Sequence, residues 1–217
     1  MFIDEVNSTL EGRVFQELEE DIINGKYKEG DAITEQKISD DLGVSRTPVR
    51  EAFHRLEKEG LLKLVPNKGA VVIGVTVNDL VDIYKIRMRL DGLATRMATL
   101  NITEEDKIKL TENVELTEFY ISKNDTEKIK NLDSSFHEII YNASGSRIIS
   151  KILSDLHRST KRYRKISLSV PKRLPKSIEE HKRILQAVLS GDCDAADSLA
   201  SLHVEHALEN VLAAIKK

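Results

Sequence analysis

Residues that mark several protein classes are scarce in this chain. Its 217 residues include a single cysteine, Cys193, no tryptophan, ten glycines and four prolines. One cysteine cannot form a disulfide within the chain, and the first ten residues lack the basic segment and long apolar run of a secretion signal. Few glycines and prolines favour helices over a β-sandwich or barrel, which need many turn residues. We therefore expect a mostly α protein of the reducing cytoplasm, with no membrane segment.

Charge is unevenly distributed along the chain. The formal net charge is −3, and residues 1–75 contain fifteen acidic side chains against ten basic ones. Within that acidic segment, residues 44–69 reverse the ratio, with six basic side chains against three acidic ones. A basic patch on an otherwise repelling surface predicts modest non-specific affinity for nucleic acid and a steep dependence on salt. If this segment binds DNA, we expect it to bind at specific sites.

Three helices are predicted in the first 75 residues. Apolar residues at helical spacing predict one helix over residues 8–24 and a second over 34–41. After the tight turn at Gly43, a third helix begins behind Ser45, whose hydroxyl is suited to cap the first turn, and ends at Gly60. The short second helix, the tight turn and the third helix have the spacing of a helix-turn-helix.

A predicted hairpin follows the third helix. Two β-rich runs near residues 61–65 and 70–73 are joined by a short turn that carries Lys68 and Gly69. A lysine at the tip of such a hairpin suits a DNA phosphate. Three helices followed by this hairpin predict a winged helix-turn-helix.

The start of the third helix has side chains that suit DNA. Two arginines and two hydroxyls lie within six residues: Ser45, Arg46, Thr47 and Arg50. The positive end of the helix dipole lies in the same place, so a phosphate or a guanine edge can bind there. Two arginines four residues apart are, by themselves, more often a solvated helix face. We predict that these four residues contact DNA together with Lys68 and Gly69.

This segment resembles the DNA-binding domain of the GntR family of bacterial transcription regulators. Residues 43–52 match the family signature Gly-Val-Ser-Arg-Thr-Pro-Val-Arg-Glu-Ala without a gap, and residues 25–39 also fit. Two departures occur. Glu29 stands where the family commonly has proline, and Gln36 stands where it often has arginine, which makes Gln36 a weaker candidate for a DNA contact. The resemblance implies a protein that binds double-stranded operator DNA.

Beyond residue 76 the helical period dominates. Helices are predicted over residues 79–100, 103–123, 126–142, 147–165, 177–189 and 194–215. Thr103 and Asp106 form a start that is similar to a capping box, and a break containing Pro171 and Pro175 separates the fourth helix from the fifth. Short loops between such helices predict an antiparallel all-α bundle, a fold that builds binding sites in its core.

One carboxylate and three imidazoles in this region are candidates for a metal site. Asp133 and His137 lie four residues apart on one helix, so both side chains can point at the same spot. His181 and His203 lie on apolar faces of the last two helices. A histidine on an apolar face is more often a hydrogen-bonded core residue, and His206 offers a competing choice to His203. If the four converge in the bundle interior, they suit a transition metal.

The helical region resembles the FCD ligand-binding domain of the FadR subfamily of GntR regulators. The matching segments are residues 87–91, 133–137, 144–146, 181–192 and 202–203. The resemblance implies a divalent metal, usually zinc or nickel, bound by four residues: Asp133, His137, His181 and His203. Two further positions on an octahedral ion suit a small carboxylate effector. Arg87 is a candidate partner for a second carboxylate of that effector, although a structural ion pair explains it equally well. Asp91 stands where the family usually has glutamate.

The two patterns divide the chain. We assign residues 1–75 to a winged helix-turn-helix DNA-binding domain and residues 76–217 to an all-α effector-binding and dimerisation domain. Helix-turn-helix proteins bind palindromic DNA as dimers, because the symmetry of the protein matches that of the site. We therefore expect a homodimer whose interface is supplied mostly by the α domain.

The His/Asp site also has a catalytic interpretation, as a metal-dependent hydrolase or lyase. His137 and Glu138 begin like the zincin motif, but Tyr141 stands where the second histidine is required. The sequence also contains no Gly-rich phosphate loop and no nucleophile elbow. A third interpretation makes the metal itself the signal. We predict a ligand-responsive transcription regulator, more specifically a repressor, and not an enzyme.

Overall fold

The computed structural model describes residues 9–66, 68–168 and 173–215. The chain divides into two compact units, Met1–Val77 and Asn78–Lys217. The prediction of a mostly α protein, with a winged helix-turn-helix followed by an all-α bundle, is confirmed. The boundary after residue 75 stays a prediction.

Three helices form most of the described part of the first unit: α1 (Leu10–Ile23), α2 (Glu35–Leu42) and α3 (Arg46–Lys58). The predicted start of α1 at Ser8 lies outside the described residues. α1 packs against α3, and their apolar stripes meet in one buried cluster that includes Leu18, Phe53 and Leu56. Gly43 adopts a left-handed conformation (φ 64°) between α2 and α3, which glycine does at little cost. This residue makes the tight turn of the helix-turn-helix.

A three-stranded antiparallel sheet completes the unit, in the order β1 (Ala32–Ile33), β3 (Gly69–Val72), β2 (Leu62–Val65). β2 and β3 form the predicted hairpin, and Val65 pairs with Gly69 at its tip. Gly69 has φ 93°, and a Cβ there would overlap the carbonyl oxygen of Ile33 in β1. Glycine is therefore required where the start of β3 passes close to the backbone of β1. Asn67 of the predicted turn lies outside the described residues.

The second unit is a bundle of helices. They are α4 (Val77–Asn101), α5 (Glu104–Ser122), α6 (Thr126–Ala143), α7 (Arg147–Ser159), α8 (Lys161–Leu168), α9 (Arg173–Ser190) and α10 (Cys193–Ile215). The predicted cap of α5 is present, since the Thr103 hydroxyl accepts from the Asp106 N–H at 3.1 Å and donates to its carboxylate at 2.8 Å. None of the helices that the structure describes is long and apolar enough to cross a membrane.

Two helix boundaries differ from the sequence prediction. The helix predicted over residues 147–165 is two helices, because α7 ends at Ser159 and the Thr160 hydroxyl donates to the carbonyl of His157 at 3.0 Å. The break predicted at Pro175 was wrong. Pro175 lies in the first turn of α9, where its missing N–H has no acceptor in the helix anyway. Pro171 lies outside the described residues.

Three apolar clusters surround the interior of the second unit, and each contributes an aromatic ring. Phe136 belongs to the largest, which joins α4, α5, α6, α9 and α10. Tyr84 belongs to a cluster between α4 and α10, and Tyr141 belongs to one that joins α4, α6 and α7. All three rings are almost completely buried. The polar residues described below lie among these rings.

Candidate metal centre and nucleic-acid interface

The residues predicted to contact DNA lie on the surface of the first unit. Ser45, Arg46, Thr47 and Arg50 are exposed at the start of α3, and Lys68 is exposed at the tip of the hairpin. A groove of about 700 Å³ between α3 and the hairpin is lined by both arginines, by Lys68 and by Gly69. Ser45 and Thr47 do not line this groove. The basic side chains of α3 and of the hairpin therefore face one shared concave surface.

Arg46 and Arg50 of α3 are both bound to one carboxylate of α2. Arg50 donates to the two oxygens of Glu35 at 3.0 Å and 2.9 Å, and Arg46 donates to Glu35 at 3.4 Å. The hydrogen bond from Arg50 is the main cause that lowers the pKa of the Glu35 carboxyl. The carboxylate holds both guanidinium groups at the groove, and it occupies the donors that a phosphate or guanine would accept from.

The capping role expected of Ser45 was wrong. Its backbone has the extended conformation of an N-cap, but its hydroxyl makes no capping hydrogen bond. The first turn of α3 contains no acidic residue. The positive end of this helix is therefore not compensated by a side chain of its own first turn. Gln36, the weaker candidate, donates to Asp40 at 2.8 Å and lines the same groove.

Three of the predicted metal ligands meet inside the second unit. His137 of α6, His181 of α9 and His203 of α10 are buried, and one ring nitrogen of each lies within 4.8 Å of the others. These nitrogens are close enough for one ion to reach all three after small side-chain rotations, with Zn–N bonds of about 2.0–2.1 Å. The convergence that the sequence pattern only suggested is present in the fold.

Asp133, the predicted carboxylate ligand, borders this cluster. Its Oδ1 lies 3.9 Å from Nε2 of His181, and its Oδ2 accepts from Nη1 of Arg164 in α8 at 3.0 Å. Nε2 of His181 has no hydrogen-bond partner among the described residues. A buried nitrogen without a partner costs free energy unless something binds there. A cation between His181 and Asp133 would satisfy both groups, so the donor set fits a transition metal.

Neighbouring side chains fix the orientation of each imidazole. The ring of Phe136 stacks on His181 at 4.0 Å between centroids. Nδ1 of His203 lies 2.8 Å from Oε2 of Glu180, a contact that requires the proton on Nδ1 and leaves Nε2 for an ion. The carboxylate of Asp91 lies 3.7 Å from Nδ1 of His137. This arrangement of carboxylates behind ligating histidines is typical of protein metal sites.

His203 and His206 are distinguished by burial. His203 is buried with the other two histidines, whereas 39% of the His206 side chain is exposed. Both donate to the same carboxylate, because Nδ1 of His206 lies 2.9 Å from Oε1 of Glu180. The geometry therefore favours His203 over the competing His206.

Burial keeps the imidazoles of His137 and His181 neutral. Loss of water lowers the pKa of the His137 imidazole well below its usual range, and the charge of neighbouring groups lowers it further. Burial also lowers the pKa of His181 to about 3. For Glu180, burial raises the pKa, but the hydrogen bond from His203 and the charge of Arg173 outweigh it and hold the pKa at about 2. A neutral imidazole is the form that binds a metal.

Arg87, the predicted effector contact, is held in a buried ion pair. Its Nε and Nη2 donate to the two oxygens of Asp91 at 3.2 Å each, and Nη2 also donates to the Tyr141 hydroxyl at 3.3 Å. Tyr141 in turn donates to Asp91 at 2.7 Å. Burial lowers the pKa of the guanidinium, and the Asp91 charge overcomes this and raises it overall. Arg87 also lines the cavity beside the histidines.

Several residues of this site were missed by the sequence analysis. His157 of α7 is buried, its ring centroid lies 4.9 Å from that of His137, and neither of its ring nitrogens has a hydrogen-bond partner among the described residues. Arg164, Arg173 and Glu180 were also missed. His157 has no partner at helical spacing, so no local pattern marks it. Glu180 precedes His181, a position next to a candidate ligand that was available as a signal.

The open space at the site is small. A cavity of about 20 Å³ is lined by residues that include Asp133, His137, His203, Arg164 and Arg173. This is roughly the room that one water molecule needs. The present packing therefore leaves space for an ion or a water, and a larger guest requires the surrounding side chains to move.

Comparison with known proteins identifies two family models in the chain. The model described as bacterial regulatory proteins, gntR family, matches residues 10–72, and the model of the FCD domain matches residues 82–206. The HTH-type transcriptional regulator YdhC of Bacillus subtilis is 32% identical over 91% of this chain and 88% of its own length. The gluconate operon transcriptional repressor of the same organism is 33% identical over 80% of this chain and 70% of its own length. The solved structure of McbR/YncC from E. coli superposes with a TM-score of 0.77, at 25% identity, and covers 94% of this chain and 98% of that one.

Proposed function

The chain belongs to the GntR family of bacterial regulatory proteins and carries an FCD domain, and we propose that it is a repressor whose DNA affinity is set by a small organic acid bound at a divalent metal. It is a DNA-binding transcription regulator, as its relatives are, and not an enzyme. The interpretation as a hydrolase or lyase is therefore not retained.

The observation that supports the metal most strongly is the convergence of three buried imidazoles from three helices. Their nitrogens lie within 4.8 Å of one another, and Nε2 of His181 has no partner among the described residues. We propose that His137, His181 and His203, together with Asp133, hold zinc or nickel. The ion would supply a Lewis acid that binds a carboxylate of the effector. Glu180 and Asp91 would orient His203 and His137 toward it.

For the DNA-binding surface, support comes from exposure and charge. We propose that Arg46 and Arg50 contact base edges and phosphates in the major groove, with Ser45 and Thr47 on the adjacent backbone. Lys68 and Gly69 would contact a phosphate from the hairpin. Glu35 must release the arginines when they bind DNA, because it occupies the same donors.

An apolar stripe on α4 supports a homodimer. Residues spaced alternately by three and four recur along this helix: Ile83, Ile86, Leu90, Leu93, Met97 and Leu100. Ile86, Leu93 and Leu100 are 48%, 40% and 71% exposed, which is unusual for a run of large apolar residues on one helix. This spacing is the one by which two helices pack against each other. We propose that a second copy of the chain covers the stripe.

Two finer assignments follow the relatives. One relative is named as the repressor of a gluconate operon, and on that basis we propose repression as the default action and include sugar acids among the candidate effectors. A regulator of operator DNA acts where the chromosome lies, so we place it in the bacterial cytoplasm.

A thermal-shift screen tests the sensor. Small organic acids, with sugar acids, hydroxy acids and dicarboxylates among them, are added to metal-loaded protein and to protein treated with a chelator. We expect at least one acid to raise the melting temperature of the metal-loaded protein but not that of the chelator-treated protein, since a ligand selective for the native state stabilises it. An acid that acts equally on both forms would argue against a metal-bound effector.

Matched variants test the ligand assignment and the dimer. We expect His181→Ala to lose bound metal in elemental analysis and His206→Ala to keep it. Leu93→Glu in the stripe should give a monomer in analytical ultracentrifugation, whereas Leu189→Glu, at a similarly exposed leucine of α9, should not. A dimeric Leu93→Glu variant would move the interface away from α4.

A further inference from the structure

The charged side chains around the histidine cluster balance one another. Among the described residues, three cations and three anions form one-to-one pairs: Arg87 with Asp91, Arg164 with Asp133, and Arg173 with Glu180. At most 16% of any of these side chains is exposed. Without an ion, this interior carries no net charge from the three pairs.

A divalent ion changes that balance. Metal binding requires unprotonated imidazoles, so the ligating histidines contribute no charge of their own. The ion therefore leaves the interior with two uncompensated positive charges. Buried charge without a counter-ion is strongly unfavourable. The guest that restores neutrality carries two negative charges.

Two of the arginines offer a place for the second charge. Arg164 and Arg173 line the same cavity as His137, together with Ser167 and Ser177. Arg164 donates through Nη1 to Asp133 at 3.0 Å and to Ser134 at 3.2 Å, but its Nε has no hydrogen-bond partner among the described residues. A buried guanidinium N–H without an acceptor suits an anionic oxygen.

We infer that the effector is a small dianion, with one acidic group at the metal and the other at Arg164 and Arg173. This inference rests on the proposed metal-dependent function and narrows it to one class of acid. A short dicarboxylate has this chemistry, whereas a monocarboxylate leaves one of the two positive charges of the ion uncompensated. The cavity of about 20 Å³ favours short molecules, because each added carbon requires more of the bundle to move.

Pairs of acids that match in size and differ by one charge test the inference on the full, metal-loaded chain. Each pair keeps the size and removes one charge: malonate with malonamate, and succinate with succinamate. Thermal-shift titrations give the half-saturating concentration of each, and elemental analysis verifies that the metal is bound. In at least one pair we expect the dianion to bind about tenfold more tightly or better than its monoanion.

Variants separate this inference from the function on which it rests. We expect Arg164→Gln to bring the two members of the pair to similar affinity while the metal stays bound. Arg96→Gln, at an exposed arginine paired with Asp194, should leave the preference unchanged. Monoanions that bind as well as dianions, or metal-loaded protein that responds to no dianion, would overturn the inference. Protein that binds no metal at all would overturn the proposed function instead.

Discussion

The same kind of ion pair occurs in both units, in opposite surroundings. Arg50 and Glu35 meet at 3.0 Å and 2.9 Å on an open surface, where 56% of the Arg50 side chain is exposed. Arg87 and Asp91 meet at 3.2 Å with only 3% of either side chain exposed. Water or a phosphate can replace Glu35 at small cost, whereas Asp91 can be replaced only by another buried group. The exposed pair is therefore exchangeable, and the buried pair is part of the framework of the site.

The largest effect is expected when the buried pair is broken. Asp91→Ala leaves Arg87 buried without a counter-ion, and we expect it to lower the free energy of unfolding by about 3–5 kcal/mol. Urea denaturation of the full chain, followed by circular dichroism, measures this. The double variant Arg87→Met with Asp91→Leu removes both charges and should recover most of the loss. A single variant as stable as the parent would show that the pair is not needed for stability.

Substitutions on the exposed DNA-binding surface should have intermediate effects on DNA affinity, and only some of them should also change base preference. Arg50→Ala should weaken operator binding by about 1–3 kcal/mol and relax base preference, because a bidentate base contact is lost. Lys68→Ala should weaken binding to all sequences alike. Fluorescence anisotropy on an operator selected from random-sequence DNA, and on scrambled DNA, separates the two. Equal losses on both DNAs for Arg50→Ala would reject its role in base recognition.

Removing the carboxylate behind His203 tests how the metal site is oriented. Glu180→Gln keeps the size of the side chain but weakens its hold on the Nδ1 proton, and we expect metal affinity to fall about 10–100-fold. Competition with a chelating dye measures the affinity. Glu179→Gln is the matched control, since Glu179 is exposed on the same helix. Equal affinities for the two variants would remove Glu180 from the site.

A smaller effect follows from the pKa values of the buried histidines. Burial lowers the pKa of His157 well below its usual range and that of His181 to about 3, against about 6.5 in an unfolded chain. The unfolded state therefore binds more protons, so stability is fully present above pH 6.5 and is lost as the pH falls toward the folded pKa. Between pH 7.5 and 5.5 we expect metal-free protein to lose about 1 kcal/mol for each such histidine.

The variant His157→Phe measures how much of this loss of stability is caused by His157. Its free energy of unfolding should fall less between pH 7.5 and 5.5 than that of the parent, by about 1 kcal/mol. His54→Gln, at an exposed histidine of α3, is the matched control variant. If His157→Phe retains the full pH dependence of the parent, His157 is not held neutral by burial.

The smallest effect is expected at the exposed pair. Glu35→Gln releases the two arginines from an anion that competes with DNA, and we expect operator affinity to rise by less than about 1 kcal/mol. The gain should shrink as salt is added, because exposed charges are screened. A fall in affinity would mean that Glu35 positions the arginines more than it competes for them.

The same contrast explains what the sequence could predict. The third helix and its hairpin follow from local spacing, and so does the proximity of Asp133 and His137, one helical turn apart. His181 and His203 reach Asp133 and His137 only through the packing of three helices. The family resemblance implied this convergence, but the helical period alone could not predict it. His157 was missed because its place in the site depends only on neighbours distant in sequence. The two-residue strand β1 is too short to show the alternation of apolar and polar residues that marks a strand in a sequence.

The central claim is that an acid bound at a metal in the helical unit changes the affinity of the chain for DNA. The direct test is operator binding by anisotropy, with and without the stabilising acid, on metal-loaded and on chelated protein. We predict that the acid lowers operator affinity of the metal-loaded protein, by a factor in the range of about 5–150 that is typical of allosteric coupling, and leaves the chelated protein unchanged. The same operator affinity in all four conditions would contradict the account.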